Sequence, residues 1–299
     1  MAILFVILAG LFVALSNLCM RKSVDGGGTT KGFLVFQMAL GFLVNFFIGP
    51  VALSEYAPPI EVLALGAVTG IVLATMLFCL GRAVENGPPG FTFSIIASAT
   101  VMPGILMALF FGAEQGYPYT AWHAVGSLVV LAGLFWGGKG MEGLKDKKRW
   151  ILFSFGMFCL HAVLLSLFQW RSLLIAQRGA IFQNSWFVPA MFLVACVIEL
   201  AIFLSSEKRR PQAMEMAYGA LGGTANAACT YFIVKAAEVA LPLENAIIFP
   251  IYSVISIILS NLWSQRLYQE KINWKACQVC AIGLLVAMVD WKTVLAFIF

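Results

Sequence analysis

Charge is scarce in this sequence. Only 11% of its 299 residues are Asp, Glu, Lys or Arg, less than half of the roughly 25% typical of a soluble domain. That is too little to cover a surface in water, which excludes a secreted disulfide scaffold and a soluble enzyme with a small anchor. The net charge of +5 lies in short runs between apolar segments, so no nucleic-acid partner is expected. Histidine is scarcer still, His123 and His161 being the two in the chain. A membrane-embedded enzyme needs His, Asp or Glu clustered at one depth, so no enzymatic activity is expected. Cys277 and Cys280 form a C-x-x-C, but no second Cys or His pair stands near to complete a zinc site. Small apolar side chains in a helix is their plainer role. Gly26-Gly27-Gly28 lacks the Gly-Lys-Ser/Thr of a phosphate cradle. With no ATP-binding motif and no cofactor expected, energy must come from a gradient or from exchange. The first apolar run has no basic residue ahead of it, unlike a signal peptide, and is read as a retained span.

What is present is apolar: 61% of residues are hydrophobic and the mean hydropathy is +0.92. A helix needs roughly 20 apolar residues to cross the hydrocarbon core. Ten stretches reach or approach that length, at 2–20, 32–53, 61–80, 89–112, 120–137, 150–174, 185–204, 215–234, 242–262 and 276–297. The expected fold is therefore an all-α membrane protein of ten transmembrane helices in a lipid bilayer. Of the 19 Lys and Arg residues, all but Arg171, Arg178, Lys235 and Lys292 fall in the connections after the odd-numbered spans. Basic loops resist translocation. The odd-numbered connections are thus expected in the cytoplasm, with both termini outside. A bacterial inner membrane is the expected location.

The longest polar stretch, a basic linker at 138–149, divides the chain almost in half. The halves 1–149 and 150–299 resemble each other. Ala83-Val84-Glu85-Asn86-Gly87-Pro88 leads into the fourth span and Ala237-Glu238-Val239-Ala240-Leu241-Pro242 into the ninth. Each of those spans holds a second proline, Pro103 or Pro250, and each is followed by a tryptophan, Trp122 or Trp274. A repeat of five spans enters the membrane with opposite polarity the second time, the inverted plan of secondary transporters. The string from Ala240 through Leu243-Glu244-Asn245 to Phe249-Pro250-Ile251-Tyr252-Ser253, followed by Leu267-Tyr268-Gln269-Glu270-Lys271-Ile272, resembles the ninth-helix region of the drug/metabolite transporter superfamily, of the EamA-like kind. The resemblance is sharp from about 219 to 289. It implies alternating access around a central cavity and a small-molecule metabolite as substrate; separately, a monomer or homodimer is expected.

Ionisable or amide groups inside such spans are costly unless they face a cavity or a partner. His161 lies midway along the sixth span, with Gln169 on nearly the same face. It could carry a proton, contact substrate, or bond a neighbouring helix. Asn245, Phe249, Tyr252, Ser256 and Ser260 form a stripe on the ninth span. Asn245 and Tyr252 are expected at the cavity, Ser256 and Ser260 in packing, and Glu244 as a cap. Asn226 lies in the eighth span beside Gly222-Gly223, and Asn17 at the end of the first. Arg82 and Glu85 are expected to pair at the cytoplasmic mouth, as a gate or as a plain interfacial ion pair. Glu199, inside the seventh span, is a candidate proton-coupling group or a carboxyl paired at the cytoplasmic end, and Arg171 is expected to snorkel to the headgroups or to attract an anionic substrate group. Pro103, Gly104 and Pro250 are expected bending points. The function these features imply is proton-coupled or exchange transport of a polar or amphipathic metabolite. An efflux pump for drugs or lipophilic cations on the same scaffold is the rival reading.

Overall fold

A computed structural model describes residues 1–87, 89–138, 146–269 and 273–288. Pro88, most of the basic linker and the end of the last expected span lie outside them. Among the described residues the chain is all-helical. The helices are α1 (Ala2–Asp25), α2 (Thr30–Phe46), α3 (Ile60–Asn86), α4 (Pro89–Ser98), α5 (Met102–Phe110) and α6 (Ala121–Gly138). After the linker come α7 (Lys147–Arg178), the single turn α8 (Ala180–Gln183), α9 (Phe187–Glu207), α10 (Ala213–Val239), α11 (Ile248–Tyr268) and α12 (Trp274–Met288). Among the described residues, six helical segments are long and apolar enough to cross a membrane: α1, α2 with its π turn (Thr30–Val51), α3, α7, α9 and α11. This is a multi-pass membrane protein. Its outward faces are apolar, as along Leu4, Ile7, Leu11 and Leu15 on α1, while each helix satisfies its own backbone, as hydrocarbon requires.

The helix ends follow local chemistry. Thr29 caps α2 by accepting from the Gly32 N–H, Asp146 caps α7 through the Arg149 N–H, and Gln212 and Glu215 form a reciprocal capping box on α10. Two expectations need correction here. The ninth span was expected from 242, but α11 begins at Ile248. Glu244 accepts from the Leu241 N–H at 2.8 Å and closes a turn before the helix starts. Asn245 therefore stands off the α11 stripe. Pro250 lies in the first turn of α11, where its missing N–H leaves no intrahelical bond unmade, so it is not a bending point. Pro103 does break its span: α4 and α5 are separated by a 3-10 turn at Ala99–Val101, just ahead of the proline ring.

The helices pack closely through glycine. A Cβ on Gly70 of α3 would stand 2.4 Å from the Met191 carbonyl oxygen of α9, and one on Gly66 2.8 Å from that of Phe187. On α10, Gly223 and Gly219 meet the Gln37 and Phe33 carbonyls of α2 at 2.7 and 2.9 Å in the same way. Small residues four apart let membrane helices approach backbone to backbone. Helix α1 packs on α10 and α11, and α2 on α10 and α9. Helix α3 packs on α7 and α9, the α4–α5 segment on α7, and α6 on α12.

Candidate functional site

A cavity of about 910 Å³ lies among these helices, within the range that holds a drug-sized ligand. Its lining reaches Arg21 and Asp25 at the end of α1, Val84 near the end of α3, Tyr268 at the end of α11 and Asn273 before α12. It therefore opens on the face that carries the α1–α2 and α11–α12 connections. Asn17, His161, Asn226 and Tyr252 all line it, four expected site residues from four helices. Ser256 and Ser260 line it too, which corrects their assignment to packing. Gln37 and Thr100, which also line it, were missed. An amide or a hydroxyl within apolar sequence gives no sign of which neighbour it will face.

The broken fourth segment shapes the deep end. Its interrupted ladder frees carbonyls that other helices take up. The Ile96 carbonyl bonds His161 Nδ1 at 2.9 Å, and Ser253 Oγ donates to the Ala97 carbonyl at 3.1 Å. Thus α7 and α11 are both fastened to the break. On the first helix, Ser16 Oγ donates to the Gly222 carbonyl at 3.0 Å and accepts from Gln37 Nε2 at 2.7 Å, joining α1, α2 and α10 beside the cavity.

The opposite face is closed by a polar mesh. Gln169 Nε2 donates to the Asn245 carbonyl at 2.6 Å, Asn245 Nδ2 to the Gly116 carbonyl at 2.8 Å, and the Tyr117 hydroxyl to the Gln169 carbonyl at 3.0 Å. Burial pushes the Tyr117 hydroxyl up to about 12, so it stays a donor at any physiological pH. Arg171 pairs with Glu238, which also pairs with Lys235 at 2.7 Å. Arg171 is 4% exposed; it is buried in this mesh and does not snorkel. Gln169 and Asn245 belong to the same closure and do not line the cavity.

Glu199, Arg82 and Glu85 also stand apart from the cavity. They border a separate cleft of about 20 Å³ with Thr30 and Lys31, room for one water. Arg82 and Glu85 pair as expected, at 3.1 Å, and remain exposed. Glu199 is 1% exposed and its Oε1 has no hydrogen-bond partner among the described residues. Nearby, the buried Glu215 carboxylate accepts from Thr29 N at 2.7 Å, Thr29 Oγ1 at 2.8 Å and Gln212 N at 2.7 Å. Arg209 adds two more bonds, at 2.6 and 3.0 Å. Among the described residues no three His, Cys, Asp or Glu side chains gather as metal ligands.

No protein-family model matches the chain, and no curated protein is similar to it in sequence. A solved structure described as "Crystal structure of protein" superposes with a TM-score of 0.71 at 16% identity, covering 96% of each chain. At that identity the likeness speaks for the fold alone.

Proposed function

We propose that the protein is a secondary carrier that moves a small polar or amphipathic metabolite by alternating access. The observation that carries this reading is a cavity of about 910 Å³ open on one face and shut on the other by side-chain bonds. In this reading the six long apolar segments are joined by α4–α5, α6, α10 and α12 to make ten spans. Helix packing supports two inverted halves. Exchanging α1 with α7, α2 with α9, α3 with α10, α4–α5 with α11 and α6 with α12 turns the α1–α10 contact into α3–α7. The same exchange turns α2–α10 into α3–α9 and α1–α11 into the contact of α4–α5 with α7. It returns α2–α9 and α6–α12 to themselves. The glycine pairs of α3 and α10 exchange as well. The bodies that rock are then α1, α2, α10 and α11 against α3, α4–α5, α7 and α9.

The resemblance to the EamA-like drug/metabolite transporters agrees with this plan, and the basic bias favours the cytoplasmic side for the open face, in this reading at a bacterial inner membrane. Glu199, buried and without a counter-ion among the described residues, is the group assigned to proton coupling. Among the described lining residues the only carboxylate is Asp25, at the mouth, which weighs against a pump for lipophilic cations. The test is a screen of metabolites for thermal stabilisation of the purified protein, since a ligand stabilises the state it binds, followed by uptake of the best one into proteoliposomes. Stabilisation without transport would reduce the protein to a binder; neither would remove the carrier reading.

A further inference from the structure

We infer that the carrier's substrate is an uncharged molecule with at least two hydrogen-bond donors, held by His161 Nε2 and Gln37 Oε1; this rests on the carrier reading. The argument begins with what the two side chains are already doing. A carbonyl oxygen can only accept, so the Ile96 carbonyl fixes the proton of His161 on Nδ1. The ring is 8% exposed, and among the described lining residues no carboxylate stands deep in the cavity to balance an imidazolium. The neutral ring then presents Nε2 as a bare acceptor. Gln37 is fixed by the same logic. Ser16 spends its proton on the Gly222 carbonyl, so it accepts from Gln37 and the nitrogen of that amide must face it. This leaves Gln37 Oε1, buried and without a partner among the described residues.

Gln37 Oε1, a buried acceptor without a partner among the described residues, is costly until a donor arrives, and His161 Nε2 is a second acceptor on a side chain that lines the same cavity. The substrate supplies N–H or O–H groups to both. Its charge follows from the rest of the lining. Arg21 and Asp25 are the charged side chains among the described lining residues, and they stand 3.9 Å apart at the mouth. A net charge carried deeper would be desolvated with nothing to meet it. Nucleosides, hexoses and primary amides fit these terms; organic cations and phosphate esters do not.

The experiment is thermal unfolding of the full-length protein against nucleosides, hexoses, primary amides, tetraphenylphosphonium, glutamate and glucose 6-phosphate. The expected winner is an uncharged donor. Methylating its donor groups should weaken binding about tenfold per lost bond. That preference should vanish in His161→Phe with Gln37→Leu, and return in His161→Gln, which keeps an amide donor for Ile96 and an acceptor for the ligand. If the double variant fails to fold, Gln37→Leu alone reports, with half of the methyl effect expected to go. A charged compound as the strongest stabiliser, or a methylated analogue bound equally well by the native protein, overturns the inference and leaves the carrier standing. No stabilisation by any class removes the carrier reading and this inference together.

Discussion

Glu215 illustrates how a carboxylate survives at the edge of a membrane helix. Its side chain is fully buried, yet two backbone N–H groups, a hydroxyl and a guanidinium meet it. Replacing it by Gln turns one acceptor oxygen into a donor that faces other donors. Glu215→Gln should therefore cost about 3 kcal/mol, the scale for leaving one member of a buried pair uncompensated, read as a lower unfolding temperature in detergent. Thr29→Val, which removes one hydroxyl and a helix cap, should cost about 1 kcal/mol. His161, Asn226 and Tyr252 were legible in the sequence because polar groups within apolar runs demand a partner. Gln169, Asn245 and Arg171 gave the same signal and met protein in place of a cavity. Sequence reports the demand for a partner and is silent on which partner meets it.

At the scale of elements, the six long apolar helices were legible from length and hydropathy, and the break at Pro103 from ring chemistry. The late start of α11 was not, because the turn at 242–247, with a proline and then a glutamate at its head, reads like the first turn of a helix. The glycine pairs were also legible in principle, at equal spacing in both halves, but their meaning lies in the partner backbone. Gly70→Ala and Gly223→Ala should each destabilise by about 1–3 kcal/mol through overpacking, since both would place a Cβ within 2.7 Å of a carbonyl oxygen. Gly81→Ala, with open space around it in α3, should stabilise by about 0.5–1 kcal/mol. Thermal unfolding of the three variants side by side checks the contrast. Equal effects would mean that the glycines do not set the helix approach.

For the whole molecule, the question is what keeps one face shut. Arg171 joins α7 to α10 through Glu238 and also reaches the Asn184 carbonyl at 3.5 Å. Arg171→Gln should raise thiol labelling of Phe168→Cys, which lines the cavity, from the closed face severalfold, because part of the mesh that closes this face is gone; unchanged labelling would place the closure elsewhere. The most direct measurement of the central claim uses Ser260→Cys in a chain whose seven native cysteines are replaced, sealed in vesicles of both orientations. An impermeant maleimide should label it from the face of the α1–α2 connection alone, and more slowly once the stabilising metabolite is bound. A residue unreactive from both faces, or equally reactive from both, would contradict a carrier cavity open to one side.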